Sequence, residues 1–221
     1  MTEINSPVIA IDGPSASGKG TVAQLVAKQL GYHYLDSGAL YRIVALGALQ
    51  NSVSWRDEAA LAQLAASLPI RFEHGETYLD RQNITEDVRT EDMSRGASEV
   101  AVHPAVRRAL LELQHSFRKM PGLVADGRDM GTVVFPDATT KIYLTASAEV
   151  RAQRRYKQLM AKGIHANLLD ILQDLQMRDN RDRQRPVAPL QCSADARLLE
   201  TSQLTIEQAV QVILAYQKSD K

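Results

Sequence analysis

Short apolar runs alternate with helical patterns along most of the chain. Because helical segments separate the apolar runs, the sequence predicts an α/β fold with a parallel sheet and helices on both faces. Ligands bind such sheets at the carboxyl ends of the strands, so the loops after the runs are the candidate functional segments. The predicted strands are Val8–Asp12, Tyr32–Leu35, Leu123–Ala125, Lys141–Leu144 and Arg197–Glu200.

Four segments show the spacing of apolar residues that is typical of amphipathic helices. Each also has a residue that commonly begins or ends a helix: a glycine or proline after the last turn, a proline in the first turn, or a Thr/Gln capping box. The segments with these residues are 22–30 with Gly31, 61–68 with Pro69, 104–118 with Pro104, and the last helix with Thr205 and Gln208.

Composition narrows the class of protein. A chain of 221 residues fits one domain with inserts, and its 26 Lys and Arg balance 26 Asp and Glu, so recognition of phosphate must be local. The single cysteine, Cys192, excludes an intrachain disulfide and is typical of the cytoplasm. The histidines are too far apart for a metal site built by the protein. Acidic Glu3 and the lack of a long apolar run predict neither a signal peptide nor a membrane span.

The loop after the first predicted strand has the strongest chemical signal. Gly13 and Gly18 bracket four residues, and Lys19 follows at the start of a helix. This spacing lets backbone N–H groups point at phosphate oxygens, while the lysine places a positive charge at the β- and γ-phosphates. We therefore predict a nucleoside triphosphate site rather than a glycine turn with an incidental lysine. Gly20 precedes Thr21 where the strict pattern has Ser or Thr, which argues against direct ligation of Mg²⁺ by a hydroxyl.

Two further loops follow predicted strands at the same sheet edge. Asp36–Arg42 presents a helix cap, backbone donors and an arginine, and Asp126–Thr132 has two glycines that permit a tight turn. Taken alone, the first is consistent with an ordinary N-cap and a surface arginine, and the second with a turn that holds a self-neutralising Arg/Asp pair. Because three successive strands end in polar loops with glycine, we favour a ligand site.

Two segments break the alternation. Residues 69–90 consist of short extended pieces around Gly75 and Asp80, which predicts a small β insert. Residues 168–189 begin as an amphipathic helix and end in alternating charges before Pro186. Such a run is typical of a solvated helix end, but beside a triphosphate loop we favour a lid whose arginines exclude water from the phosphates. Its charged residues are Arg178, Asp179, Arg181, Asp182, Arg183 and Arg185.

Several strings of the chain closely resemble those of the bacterial cytidylate (CMP) kinases, which are nucleoside monophosphate kinases. The resemblance spans nearly the whole chain, and Ala-Asp-Gly-Arg-Asp-Met-Gly-Thr is distinctive. The strings are Gly13–Thr21, Asp36–Arg42, Ala125–Thr132, Arg178–Arg183, and Arg185 with Val187–Leu190. The resemblance implies a cytoplasmic enzyme of pyrimidine nucleotide metabolism that transfers the γ-phosphoryl group of ATP to CMP or dCMP with Mg²⁺.

The resemblance also implies a fold and a division of the chain. The fold is a P-loop NTPase-type five-stranded parallel sheet with a lid and a nucleoside monophosphate (NMP)-binding insert that contains a small β-sheet. We expect the core at about 1–66, 100–150 and 190–221, the insert at about 67–99 and the lid at about 151–189.

Roles for individual residues follow from the same resemblance. The implied catalytic residues are Lys19, Arg128, Arg178 and Arg185. The CMP phosphate is bound by Arg42 and Arg128. The resemblance places Arg178 and Asp182 around the sugar, and it assigns recognition of cytosine to Ser98, Arg107 and Asp129. In the sequence alone, Ser98 and Arg107 look like ordinary helix-surface residues. The implied ATP-binding residues are Gly13, Pro14, Ser15, Ala16, Ser17, Gly18, Lys19, Gly20 and Thr21, with Mg²⁺ bridging the β and γ oxygens. The implied CMP-binding residues are Ser37, Tyr41, Arg42, Ser98, Arg107, Arg128, Asp129, Arg178, Asp182 and Arg185.

Two alternatives stay open. One is the same fold and reaction with another acceptor, such as UMP, AMP or a non-nucleotide alcohol. The other is a nucleotide-binding switch that hydrolyses triphosphate slowly, although the chain lacks the Asn-Lys-x-Asp that would read guanine. We expect ATP and CMP or dCMP as partners, neither nucleic acid nor membrane, and a monomer.

Overall fold

The parallel strands predicted from the apolar runs are present in the computed structural model, which describes residues 6–73 and 76–220. Glu3, His74 and the turn predicted at Gly75 lie outside the described residues. In chain order the strands are β1 (Val8–Asp12), β2 (His33–Asp36), β3 (Ile70–Glu73), β4 (Glu76–Leu79), β5 (Gln82–Asn83), β6 (Leu123–Gly127), β7 (Thr140–Thr145) and β8 (Arg197–Glu200).

Helices separate β1 from β2, β2 from β3, β5 from β6 and β7 from β8. Gly31 caps α1 in the left-handed conformation, and the capping box of Thr205 and Gln208 begins α8. The helices are α1 (Lys19–Leu30), α2 (Ser37–Gln50), α3 (Glu58–Ser67), α4 (Glu91–Val100), α5 (Pro104–His115), α6 (Ala148–Ala161), α7 (Leu168–Gln184) and α8 (Ile206–Ser219), with a 3-10 turn at Asp87–Arg89 and a π turn at Met130–Val134.

Contacts divide the chain into two units. One consists of Met1–Leu35 with Phe117–Lys221, and the other is Asp36–Ser116. The second unit is wider than the insert predicted at about 67–99, and the division into core, insert and lid stays a prediction. None of the helices in the described part of the chain is long and apolar enough to span a membrane.

The first unit is built on a five-stranded parallel sheet in the order β2-β6-β1-β7-β8. The central strand β1 pairs with β6 on one side and β7 on the other, and all its residues are buried. Burial on both faces explains why β1 reads as an unbroken apolar run. Helices α1 and α8 cover one face, where Val22, Val26 and Ile213 pack against Ile9 and Ile11.

The second unit contains the predicted small β insert as a three-stranded antiparallel sheet, β3-β4-β5. Asp80 begins the two-residue connection from β4 to β5 with φ 53°, a left-handed conformation that Asp tolerates. In the same unit α2 packs against α4, and α3 packs against α5. The indole of Trp55 donates to the Ala45 carbonyl of α2 over 3.0 Å.

Several element boundaries differ from the predictions for a local reason. Strand β6 extends past Ala125 to Gly127, because the apolar run in the sequence ends at charged Asp126 although the strand continues. Helix α5 ends at His115 instead of about Arg118. Arg118 has left the helix and binds within the first unit, where it donates to the Ser6 carbonyl and pairs with Asp137 over 2.8 Å.

We expect Gly96→Ala to destabilise the second unit and Gly47→Ala to leave it unchanged or more stable. A Cβ at Gly96 would lie 2.7 Å from the Trp55 ring and 2.8 Å from Ala45, which costs about 1–3 kcal/mol of overpacking. At Gly47 only the tip of Leu68 lies close, at 3.1 Å, and alanine favours the helix by up to about 1 kcal/mol. Urea unfolding of both variants measures this. Equal stabilities would contradict the packing at Gly96.

Candidate functional site

The loop between β1 and α1 is held in one tight conformation. A Cβ at Gly13 would lie 2.0 Å from the Leu144 carbonyl oxygen, so no other residue fits there. Ala16 has φ 57°, an unusual conformation for a residue with a side chain, which is typical of functional loops. Lys19 is buried, and its ammonium donates to the Pro14 carbonyl over 3.2 Å. Its charge therefore lies at the loop.

Two arginines of α6, which the sequence analysis did not single out, bind the backbone of this loop. Arg151 donates to the Ser15 carbonyl over 3.1 Å, and Arg154 donates to the Ser17 carbonyl over 3.0 Å. In a trans peptide the N–H points opposite to the C=O, so the N–H groups that follow these carbonyls point away from the arginines. The Ser17 hydroxyl is buried and has no hydrogen bond within the described residues. This arrangement leaves donors for an anion.

Arg128, a predicted catalytic residue, connects three segments of the first unit. Its guanidinium donates to the Asp182 carboxylate over 2.7 Å, to the Ser15 hydroxyl over 2.8 Å and to the Gly127 carbonyl over 3.1 Å. Burial alone would raise the pKa of Asp182, but the charge and hydrogen bond of Arg128 outweigh burial and lower that pKa. Asp182 is therefore an ionised partner. The alternative of a self-neutralising Arg/Asp pair within the turn is wrong, because Arg128 pairs with α7.

The charged run of α7 has an inner and an outer side. Asp179, Asp182 and Arg185 are buried, whereas Arg181 and Arg183 are exposed. The interpretation as a solvated helix end is therefore wrong for the inner side. Asp179 pairs with Arg151 of α6 over 2.7 Å, and Asp182 pairs with Arg128. The guanidinium of Arg185 lies 3.6 Å from the Asp129 carboxylate and donates to the Ala188 carbonyl.

Carboxylates of the first unit stand at the ends of the central strands. Asp12 ends β1 and accepts from the backbone N–H groups of Met130 and Gly131, each over 2.8 Å. Burial raises its pKa to about 6; the negative charge of Asp129 also raises it, and these hydrogen bonds and Lys19 lower it. Asp126 accepts from the Tyr34 hydroxyl over 2.6 Å.

The predicted site residues of the second unit lie on α2, α4 and α5. Asp36 caps α2 through the Ala39 N–H and pairs with Arg42 over 2.6 Å, so the predicted N-cap is present. The Ser37 hydroxyl donates to Gln114 over 2.9 Å, and both side chains are buried.

The predicted cytosine-reading residues of this unit are not on its surface. Ser98 is 9% exposed and Arg107 is 8% exposed, so the expectation of ordinary helix-surface residues was wrong. The Arg107 guanidinium lies 5.7 Å from the centre of the Tyr41 ring and donates to the Ala101 carbonyl over 3.4 Å. Stacking and hydrogen bonding hold this cation in place.

Comparison with known proteins gives one consistent result. The family model described as cytidylate kinase matches residues 9–219. A curated cytidylate kinase from Chromobacterium violaceum is 58% identical over 210 residues, with 95% of each chain covered. One from Polynucleobacter asymbioticus is 56% identical over 213 residues, with 96% of this chain and 97% of that protein covered.

The solved structures add information about the fold alone. The structure of a gluconokinase from Sinorhizobium meliloti 1021 matches 97% of this chain and 93% of its own with a TM-score of 0.50, at 13% sequence identity. The predicted P-loop kinase type of α/β fold, with helices around a five-stranded parallel sheet, is confirmed.

We expect ionisation of Asp12 to reduce stability as the pH rises. Because its pKa is raised from 3.8 to about 6, its contribution is fully present below pH 3.8 and lost as the pH rises through about 6. The shift of about two units corresponds to about 3 kcal/mol. The free energy of unfolding of the wild type minus that of Asp12→Asn should fall by about this amount between about pH 4 and about pH 7, as measured by urea denaturation. A constant difference would contradict the burial of an ionised Asp12.

Proposed function

Because this chain belongs to the cytidylate kinase family, we propose that it transfers the γ-phosphoryl group of ATP to CMP or dCMP and releases ADP with CDP or dCDP. The family expected from the sequence motifs is confirmed, and the chain is a phosphotransferase. The structural observation that carries the proposal is the network around Ser15, whose carbonyl binds Arg151 and whose hydroxyl binds Arg128. This network joins a triphosphate-binding loop to cations on neighbouring segments.

Lys19 and the loop amides are the proposed ligands of the ATP phosphates. In the structure the Lys19 ammonium donates to a neutral carbonyl of its own loop. Phosphate oxygens are stronger acceptors for a cation, so ATP would replace this contact with charge-assisted hydrogen bonds. The full proposed set is Gly13, Pro14, Ser15, Ala16, Ser17, Gly18, Lys19, Gly20 and Thr21.

Phosphoryl transfer then requires little covalent chemistry from the protein. An oxygen of the CMP phosphate attacks the γ-phosphorus in line, and the bond from this phosphorus to the β–γ bridging oxygen breaks. The attacking oxygen is already anionic near neutral pH, so no general base is needed. Lys19, Arg128, Arg178 and Arg185 are proposed to stabilise the charge that develops on the transferring group.

The residues proposed to bind CMP are those that the family resemblance implies. Arg42 and Arg128 suit the phosphate because a guanidinium offers paired N–H donors. Arg178 and Asp182 are assigned to the sugar. Ser98, Arg107 and Asp129 are assigned to cytosine, and Ser37, Tyr41 and Arg185 complete the proposed set.

Mg²⁺ is proposed to bind together with ATP. Among the residues that the structure describes, no group of three His, Cys, Asp or Glu could hold a metal ion. Asp126 is suited to bind Mg²⁺ through a water ligand of the ion. Its carboxylate lies beside the start of α1, where a Cβ added at Gly20 would be 3.6 Å from one carboxylate oxygen. The ion would neutralise charge on the β- and γ-phosphates.

The setting and assembly of the enzyme are also proposals. Cys192 is exposed and free, which suits a reducing compartment such as the cytoplasm. The balanced charge does not favour binding to nucleic acid, and we propose a monomer that meets its nucleotide substrates in solution.

The lid assignment predicts an unequal effect of Arg185→Ala. If Arg185 contacts mainly the transferring group, its loss should lower kcat by about 10²-fold while the Kd of CMP changes far less. Steady-state kinetics and calorimetric titration with CMP measure the two effects. Arg181→Ala, on the exposed side of α7 just before Arg185, is the matched control and should leave both values near those of the wild type. Equal losses in binding and turnover would indicate a simple docking charge.

The preference of the enzyme for cytosine or uracil tests directly which nucleotide accepts the phosphoryl group. Cytosine offers N4–H to the Asp129 carboxylate and its N3 acceptor to Arg107. Uracil presents O4 and N3–H at these two positions and leaves buried groups unpaired, at about 1–3 kcal/mol each. CMP should exceed UMP in kcat/KM by about 10² or more in a coupled assay of ADP release. Asp129→Ala should reduce that ratio mostly by harming CMP, while Lys19→Met should lower both substrates alike. Equal use of UMP or AMP would support the alternative of another acceptor.

A further inference from the structure

The π turn at Met130–Val134 begins with backbone donors that its own residues do not satisfy. The first N–H groups of any helical turn lack partners within the turn and are usually capped by a side chain at the preceding position. Asp129 occupies that position, and Asp is among the preferred capping residues. Asp129 nevertheless makes no capping hydrogen bond.

A different carboxylate provides the cap. Asp12 lies in a strand more than a hundred residues away in sequence, and its two oxygens each accept one N–H group, from Met130 and from Gly131. A carboxylate is suited to this position, since both of its oxygens are acceptors. An amide would turn one donor toward an N–H. The Asp129 carboxylate is directed instead at Arg185, 3.6 Å away.

The surroundings of the turn leave little room for another arrangement. The Met130 side chain is fully buried and lies against Gly127, where a Cβ would come within 2.9 Å of it. A Cβ at Gly131 would lie 3.2 Å from Lys141 and 3.4 Å from Ala10, so the turn lies directly on the sheet. Asp12 is itself buried at the end of the central strand. The rigid sheet therefore fixes the position of the cap.

We propose that Asp12 is a positioning residue for nucleobase selectivity, which caps the π turn from β1 so that the Asp129 side chain does not have to cap it and stays directed toward Arg185. The inference rests on the proposed function, in which Asp129 reads cytosine. Without the Asp12 cap, the N–H groups of Met130 and Gly131 lose their acceptors, and Asp129 at the N-cap position becomes the side chain placed to cap the turn. The selectivity of the enzyme would then fall, because the Asp129 carboxylate would be drawn from the base into the cap.

The experiment compares Asp12→Asn, Asp12→Ala and Asp129→Ala in the full-length protein. The readout is the ratio of kcat/KM for CMP to kcat/KM for UMP, together with the KM of ATP. We expect the ratio to fall about tenfold in Asp12→Ala and less in Asp12→Asn, which keeps one acceptor. The KM of ATP should change less than twofold. Losses confined to ATP, with the CMP/UMP ratio intact, would overturn the inference.

A double-mutant cycle separates action through Asp129 from general damage. If Asp12 acts through Asp129, then Asp12→Asn should have no further effect on the ratio in an Asp129→Ala background. Additive effects in the double variant would overturn the inference. A ratio unchanged by Asp129→Ala alone would instead overturn the assignment of Asp129 in the proposed function. The two failures are therefore distinguishable.

Loss of stability is controlled in two ways. Thr140→Val removes a hydrogen bond of 2.8 Å to Asp220 in the same unit, and it should lower stability while the CMP/UMP ratio stays at the wild-type value. If the Asp12 variants fail to fold, amide hydrogen exchange in the wild type provides the test. The amides of Met130 and Gly131 should be protected, and rapid exchange of both would overturn the inference.

Discussion

The conformation of the loop between β1 and α1, here called the phosphate loop, depends on arginine side chains that hydrogen-bond to it. Arg151 and Arg154 hold the carbonyls of Ser15 and Ser17, and Arg128 holds the Ser15 hydroxyl. A loop that must aim many N–H groups at one anion is unfavourable by itself, since the aligned dipoles repel one another and backbone entropy opposes the turn. Cations at the carbonyl side offset both effects before a nucleotide binds.

The balance of charge in the composition hides a strong local arrangement. Two cations of the first unit each pair with one carboxylate, half-buried Arg128 with Asp182 and buried Arg151 with Asp179. Burying a charge without a partner is costly, so these two arginines each require a carboxylate nearby. The carboxylates then also limit the positive potential until phosphate arrives. The local pairs thus reconcile a net charge of zero with phosphate recognition.

Local patterns predicted the sheet well because β1 and its neighbours are buried on both faces, which leaves an apolar run in the sequence. The same criterion missed α4 and α6, whose sequences are mostly polar. In α6 the buried side includes Arg151, and an arginine that packs inward cannot be distinguished by pattern from one in solvent. The role of Asp12 was missed for a related reason, as its partners lie more than a hundred positions away. Spacing reports neighbours within one element, while these contacts join different elements.

The ionic character of the inner side of α7 has a thermodynamic consequence. Within α7, whose residues are all described, the buried side chains are Leu175, Asp179 and Asp182. Apolar surface dominates the heat capacity change when a segment detaches, and polar surface contributes with the opposite sign. Detachment of this helix would therefore expose little apolar area and change the heat capacity little. The ion pairs that hold this side of the helix, with Arg151 and Arg128, are largely buried, so salt screens them less than it would screen pairs on the surface.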